Sequence, residues 1–300
     1  MKKLLVVVAG PTAVGKTATT IELAKHFNTE ILSADSRQFY KELAIGTAKP
    51  SHEELAQIPH HFIDSLSITE PYTAANFESD ALKLLTTLFK KHNVVFVCGG
   101  TGLFIKALLE GLDDIPTADE SIRIELEISY TEKGIEFLQN ELKKVDIESY
   151  TTIDISNKQR VIRALEVYKA TGKPFSSFKT NTKQKREFES LQLILDLPRE
   201  QLYNRINQRV DAMMQQGLLK EAESVFEFKQ ANALQTVGYK ELFDFFENKI
   251  TLEEAIDKIK QHTRNLAKRQ LTWFRKDESS HWFNPSQTKE MIALINQKLQ

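Results

Sequence analysis

Gly10-Pro11-Thr12-Ala13-Val14-Gly15-Lys16-Thr17 has the spacing G-x-x-x-x-G-K-T, and its neighbours give that spacing meaning. Before it runs Leu4-Leu5-Val6-Val7-Val8-Ala9, continuous, apolar and rich in β-branched residues, so Met1 to Ala9 reads as a buried strand. After it, Ala18 to His26 reads as a helix. A strand, a glycine-punctuated turn and a helix form a P-loop. Its glycines let successive backbone N–H groups converge on phosphate oxygens, and the positive end of the helix adds to that field. Lys16 supplies a point charge, and the Thr17 hydroxyl is placed to hold Mg²⁺. The ligand therefore carries at least two linked phosphates. ATP or another nucleotide is the usual cargo of this motif, but the motif alone does not require one.

The whole chain bounds the rest. Its 300 residues suffice for one large domain, or for a core with a smaller partner. With 41% hydrophobic and 27% charged residues, the composition is that of an ordinary globular protein. Lys+Arg 40 against Asp+Glu 41 rules out a global attraction to nucleic acid, so any basic surface must be local. The single Cys98 excludes a disulfide framework and a cysteine-based zinc site; at the end of an apolar run it reads as a small core residue. No apolar stretch approaches the ~20 residues of a membrane span, and the first strand leaves no room for a signal peptide. The expectation is a cytoplasmic protein without membrane contact, and a monomer.

Beyond the P-loop helix, Glu30-Ile31-Leu32-Ser33-Ala34-Asp35 reads as a second strand ending in an acid, followed by the turn-rich Ile45-Gly46-Thr47-Ala48-Lys49-Pro50. Ile63 to Leu66 is a candidate short strand. Thr73 to Lys91 has helical periodicity. Val94 to Cys98 is a strand breaking at Gly99-Gly100-Thr101-Gly102, with Leu103 to Leu109 helical behind it. Such alternation predicts a parallel sheet with its ligand at the carboxyl ends of the strands, where Lys16, Asp35 and Thr101 all fall. Near Pro116 the pattern becomes purely helical: Ser121 to Glu132, Gly134 to Lys144, and Asn157 to Ala170. Leu191 to Leu197 returns as the last strand, and from Gln201 onward the chain is helical again. The fold class is therefore α/β, a P-loop NTPase-like parallel sheet with flanking helices and a mostly helical insertion domain. Residues 1–115 and 187–300 form the discontinuous core, and 116–186 the insertion.

Charge is uneven. Lys158, Arg160 and Arg163 lie within a few residues of one another, and Lys258, Lys260, Arg264, Lys268, Arg269, Arg275 and Lys276 crowd the last long helix. A solvated face is the usual reason for such runs, but two basic helices beside a phosphate site also suit a polyanion. A P-loop NTPase normally closes a strand with an acid to hold the water shell of Mg²⁺; Val94 to Cys98 ends in Gly-Gly-Thr instead. No Asn-Lys-x-Asp base-reading motif is present. This leaves a transferase using an unusual diphosphate, or a small-molecule kinase with a degenerate metal site. His60-His61 lacks a third ligand at suitable spacing and reads as a turn or as local hydrogen bonding.

At this point the residues resemble a family, the tRNA dimethylallyltransferases (tRNA isopentenyltransferases) of bacterial type. The likeness runs nearly end to end: Gly10 to Thr17, Asp35 to Tyr40, Ile45 to Pro50, Gly99 to Phe104, Gln159 to Val167, Arg205 to Asp211, Gln235 to Glu241 and Thr263 to Arg275. Phe104 stands where the family usually has Tyr, and nothing corresponds to the C-terminal zinc finger of eukaryotic members. The resemblance implies transfer of a dimethylallyl group from its diphosphate to N6 of the adenosine 3′-adjacent to the anticodon, releasing diphosphate. It implies Mg²⁺ as cofactor and the tRNA anticodon stem-loop as partner. Arg209 would stabilise the leaving diphosphate with Lys16; alone, it reads as a surface ion pair with Asp211 or a neighbour. Asp35 would be the general base, with Thr101 positioning the amine or the acid; alone, they read as a strand-end cap and a turn residue. The tRNA contacts implied are Asp35, Ser36, Arg37, Gln38, Thr101, Arg123, Gln159, Arg160, Val161, Ile162, Arg163, Gln235, Thr236, Val237, Gly238, Tyr239 and Lys240.

Competing readings remain: an adenylate isopentenyltransferase acting on free nucleotide, a P-loop small-molecule kinase, and a non-catalytic RNA-binding protein. The helical insertion and the two basic clusters favour RNA over a free nucleotide as acceptor.

Overall fold

The computed structural model describes residues 2–180 and 182–300; Met1, which the sequence assigns to the first strand, lies outside them. The chain begins with β1 (Leu4–Ala9), α1 (Lys16–His26), β2 (Ile31–Ser33), α2 (His52–Leu55) and β3 (His60–His61). Next come α3 (Ala74–Leu88), β4 (Val94–Gly99) and α4 (Gly102–Glu110). The helices α5 (Glu120–Val145), α6 (Ile147–Thr152) and α7 (Lys158–Thr171) follow without a strand between them. Then come β5 (Glu189–Leu195), α8 (Arg199–Gln216), α9 (Leu218–Ser224), α10 (Tyr239–Phe246), α11 (Leu252–Phe274), β6 (His281–Phe283) and α12 (Thr288–Leu299).

The sheet order is β3-β2-β4-β1-β5-β6, and every pairing is parallel. β1 is central and wholly buried, which is why it reads as an unbroken apolar run rather than an alternating one. Leu4, Val6 and Val8 project to one face, where Ile21, Leu23, Leu202, Ile206, Met291 and Ile295 complete the core. The chain goes to one side of β1 for β2, β3 and β4, and to the other for β5 and β6. The loop leaving β1 therefore occupies the switch point of the sheet, the crevice in which open α/β sheets bind ligands.

Contacts divide the chain into two compact units, Met1–Leu109 with Lys185–Gln300, and Glu110–Gln184. The sequence reading puts these limits at 116 and 186. Arg186 belongs to the first unit: it pairs with Glu78 at 2.6 Å and donates to the carbonyls of Ala107 and Leu108. The second unit has its own core of Leu126, Leu138, Leu142, Val161, Ile162, Ala164 and Leu165. Gly134 (φ 78°, ψ 179°) kinks α5 where the sequence separates two helices.

Two expectations are corrected. Residues 63–66 are not a strand: Phe62 and Asp64 take positive φ, which breaks extended structure, and only the isolated bridge Tyr40–Leu66 remains. Nor is β5 the last strand, because His281–Phe283 adds a sixth at the edge. With two exposed residues among three, β6 carries no alternation to read.

Candidate functional site

The cradle begins with geometry only glycine tolerates. Gly10 has φ 147°, and a Cβ there would lie 2.5 Å from the Leu195 carbonyl oxygen, so the loop leaves β1 pressed against β5. Gly15 (φ 113°) turns the chain into α1, whose N-cap has no side-chain hydrogen bond and whose first turn has no acid. The amides of that first turn thus face the crevice without a competing side chain. Lys16 Nζ donates to the carbonyls of Gly10 at 3.2 Å and Pro11 at 2.8 Å, folding the ammonium across the loop.

Around the cradle lies a cavity of about 590 Å³. Thr12, Ala13, Gly15, Lys16 and Thr17 line it, with Asp35, Arg37 and Gln38 from the end of β2, Arg205 and Arg209 from α8, and Thr236 to Gly238. A second cavity of about 650 Å³, bordered by Tyr203, Lys268, Arg275 and Trp282, shares no lining residue with it and holds none of the P-loop.

Arg209 Nη1 approaches Thr12 Oγ1 at 3.3 Å, and among the described residues no carboxylate pairs with it. Asp211, its neighbour in the surface reading, is taken by Lys260 at 2.6 Å. Burial lowers the pKa of Arg209, opposed by the charge of Asp35. Arg205, one helical turn earlier, donates to the Val14 carbonyl at 3.2 Å. Burial also lowers the Lys16 pKa to about 8; Cys98 and Asp35 pull it up and Arg209 pushes it further down. A half-buried lysine and arginine crowded together without carboxylate partners form a site poised for an anion. Removal from water pushes the Cys98 thiol up, which agrees with an inert core residue.

A pH dependence follows. Below about pH 8 Lys16 is charged in the free protein, and above it the ammonium loses its proton. The kcat/KM for a diphosphate substrate should therefore fall as pH rises through about 8. A profile flat to pH 9.5, measured at saturating acceptor, would remove Lys16 from ligand binding.

Asp35 Oδ1 accepts from the Arg37 amide at 3.0 Å, forming an Asx turn rather than a helix cap. Thr101 does not reach Asp35: its Oγ1 accepts from the Ser36 amide at 3.1 Å and donates to Ser36 Oγ at 3.3 Å, fixing the adjacent residue, and Thr101 does not line the cavity. Gln38 points its amide nitrogen at the carbonyls of Thr47 and Ala48 and takes a bond from Ser33 Oγ. Phe104 is buried and stacks on Phe39 and Phe77, so its ring serves an apolar cluster that needs no hydroxyl.

The remaining implied contacts divide. Thr236, Val237 and Gly238 border the cavity, and Lys240 is exposed. Gln235 is exposed but bonds back to the Lys229 carbonyl. Tyr239 is fully buried with its hydroxyl on Glu221, so its side chain is structural. In the helical unit, Val161 and Ile162 are core residues, which removes their side chains from any surface. Arg123 bonds Glu166 at 2.9 Å and Gln159 at 2.5 Å, while Arg163 lies 3.5 Å from Glu166 and donates to the Pro116 carbonyl. Much of that basic charge therefore neutralises a buried carboxylate; Arg160 is exposed.

Gln270 is a site residue that motif reading passes over. From α11 its Oε1 accepts from the Thr12 amide at 2.9 Å and its Nε2 donates to the Gly100 carbonyl at 3.0 Å, tying the cradle to the end of β4. Nothing in the local sequence distinguishes it from any helical glutamine.

Among the described residues, no group of three or more His, Cys, Asp or Glu side chains gathers as a metal site. A divalent ion here would rest on few protein ligands and on ligand phosphate, the habit of magnesium at phosphate sites. The Thr17 hydroxyl, in the first turn of α1 and on the cavity wall, fits that donor set. His61 instead bonds Glu30 at 2.7 Å, with His92 on the same carboxylate. No helix among the described residues is long and apolar enough to cross a membrane.

Known proteins resemble the chain over nearly its whole length. A family model described as IPP transferase matches residues 38–277. The chain is 51% identical to the tRNA dimethylallyltransferase of Cytophaga hutchinsonii, covering 100% of this chain and 99% of that protein. It is 50% identical to that of Christiangramia forsetii, covering 100% and 99%. Among solved structures, the full-length tRNA isopentenylpyrophosphate transferase from Bacillus halodurans superposes with a TM-score of 0.72 at 39% identity, covering 99% of this chain and 97% of that one. A eukaryotic dimethylallyltransferase described as acting on tRNA gives 0.82 at 28%, covering 99% and 80%.

Proposed function

The chain belongs to the IPP transferase family, and from that premise we propose that it works as a tRNA dimethylallyltransferase. The group moves from dimethylallyl diphosphate to N6 of the adenosine 3′-adjacent to the anticodon. The observation that carries this reading is the single cavity shared by the P-loop, Arg209 and Asp35.

An exocyclic adenine amine is a weak nucleophile because its lone pair is delocalised into the ring. The amine attacks C1 of the dimethylallyl group, the C1–O bond breaks, and its electron pair leaves with the diphosphate. Asp35 takes the N6 proton as the new bond forms, so the amine does not carry a full positive charge. Negative charge grows on the departing diphosphate, where the P-loop amides, Lys16 and Arg209 meet it. Thr17 would hold Mg²⁺, which supplies further charge neutralisation to the same oxygens. The acceptor base must leave its stack to reach Asp35, and Ser36, Arg37 and Gln38 continue from Asp35 as its contacts. In the helical unit the exposed Gln159 and Arg160 are available to the RNA backbone. A soluble cytoplasmic monomer fits this chemistry.

Incubation with labelled dimethylallyl diphosphate, Mg²⁺, unmodified tRNA and AMP tests the reading. Label should enter tRNA whose anticodon is followed by adenosines. Label in AMP alone would select the free-nucleotide enzyme, and label in neither acceptor would reject prenyl transfer.

A further inference from the structure

Part of the cavity wall is the turn ending at Ala48, and the amides at its start are held by one carboxylate. Glu221, on α9, accepts four hydrogen bonds. Its Oε2 takes the amides of Ala44 at 3.0 Å and Ile45 at 2.8 Å. Its Oε1 takes the amide of Gly46 at 2.9 Å and the Tyr239 hydroxyl at 2.6 Å. An ionised carboxylate offers about four lone-pair sites, so this group is saturated. Gly46 seats directly on the tyrosine: a Cβ there would lie 2.6 Å from its hydroxyl. Tyr239 is itself wholly buried, and burial with the adjacent Glu221 charge pushes its pKa up, so it stays a donor.

The consequence reaches the site through the next residues. Gly46, Thr47 and Ala48 line the cavity, Ala48 with a positive φ of 45°. The carbonyls of Thr47 and Ala48 receive the Gln38 amide at 3.4 and 3.3 Å, and Gln38 lies three residues beyond Asp35. Three consecutive amides would not converge on one point without an anion to meet them. Here the anion belongs to the protein, and it fixes the loop that aims Gln38.

We propose that Glu221 is a positioning residue for the acceptor nucleotide: it clamps residues 44–46 and, through the Thr47 and Ala48 carbonyls, orients Gln38 beside Asp35. This rests on the reading of Gln38 as an acceptor contact. Among the described residues the clamp makes no hydrogen bond to the P-loop, and it acts through Gln38, so its main effect is on tRNA rather than on the prenyl donor.

Full-length protein carrying Glu221→Gln provides the test, because glutamine keeps the size but places an NH₂ among converging donors. Expected are a rise of about tenfold in KM for tRNA and a change within about twofold in KM for dimethylallyl diphosphate. On a Gln38→Ala background the same substitution should add less than about threefold, since the group it acts through is gone. Amide exchange at Ala44, Ile45 and Gly46 should quicken by more than exchange in β1 and β4 does, which separates local opening from a general loss of stability. Equal rises in both KM values, a full increment on the Gln38→Ala background, or unaltered exchange at those amides would each overturn the proposal. Should Glu221→Gln fail to fold, Tyr239→Phe removes only one of the four donors and should still raise the tRNA KM alone; a Tyr239→Phe protein unchanged in both KM values would count against the clamp. If the unsubstituted protein labels no tRNA, the functional reading fails, while the exchange measurement still decides the clamp.

Discussion

Asp35→Ala should lower turnover on tRNA by about 10²-fold or more, the scale of a lost general base, with tRNA affinity retained. The carboxylate stands just past β2, lines the same cavity as Lys16 and Arg209, and has one oxygen fixed by the Arg37 amide. Among the described residues no side chain closes on the other oxygen, so an N6 proton has an acceptor whose position is already set. Binding should survive because Ser36 is held independently by Thr101, and Gln38 by the 47–48 carbonyls. Asp35→Asn sharpens the test: it can keep the bond to the Arg37 amide but cannot take a proton. Single-turnover rates and filter-binding affinities separate the outcomes. An Asn variant with near-normal turnover would take the base role from Asp35, and a loss of binding equal to the loss of rate would show that the turn, not the proton, matters.

How much of this was legible beforehand depends on what each residue does locally. β1, the P-loop and α1 announce themselves because a buried central strand and a left-handed glycine leave short-range traces. Strand alternation already places Asp35 at the ligand end of the sheet and the family gives it a role, whereas Arg209 becomes a candidate only through a family block, since alone it reads as a surface ion pair. The surface reading of Arg209 fails because Asp211 is spent on Lys260, a partner 49 residues away along the chain that no spacing rule finds. Glu221 falls outside every family block, and Gln270, although inside the Thr263 to Arg275 block, has no role that the sequence discloses, for the same reason. Their work is to bond backbone amides and carbonyls far away in sequence, and backbone groups look alike at every position. Val161, Ile162 and Tyr239 show the reverse error: they sit inside blocks that resemble tRNA-contact segments, yet helix periodicity turns their side chains into cores. A contiguous motif on a helix can present only part of itself to a ligand. β6 escaped because three residues at a sheet edge carry no period.

Arg209→Ala is expected to cost about 10²–10³ in turnover, as for removing one preorganised donor to developing negative charge, while tRNA binding is spared. Its guanidinium lies at Thr12, inside the cradle, on a helix whose buried face (Leu202, Ile206, Val210) packs elsewhere, so truncation leaves the helix seated. Arg209→Lys should restore little, because an ammonium cannot present the planar fork that spans two phosphate oxygens. A second signature separates charge from packing. Burial is the main reason the Lys16 pKa lies down at about 8, and the Arg209 charge adds a smaller push in the same direction, so without Arg209 the alkaline limb of donor kcat/KM moves slightly to higher pH. The lysine variant keeps a positive charge nearby and should leave the limb close to its original place. Near-normal turnover in Arg209→Ala would take the guanidinium out of the diphosphate site, wherever the limb falls.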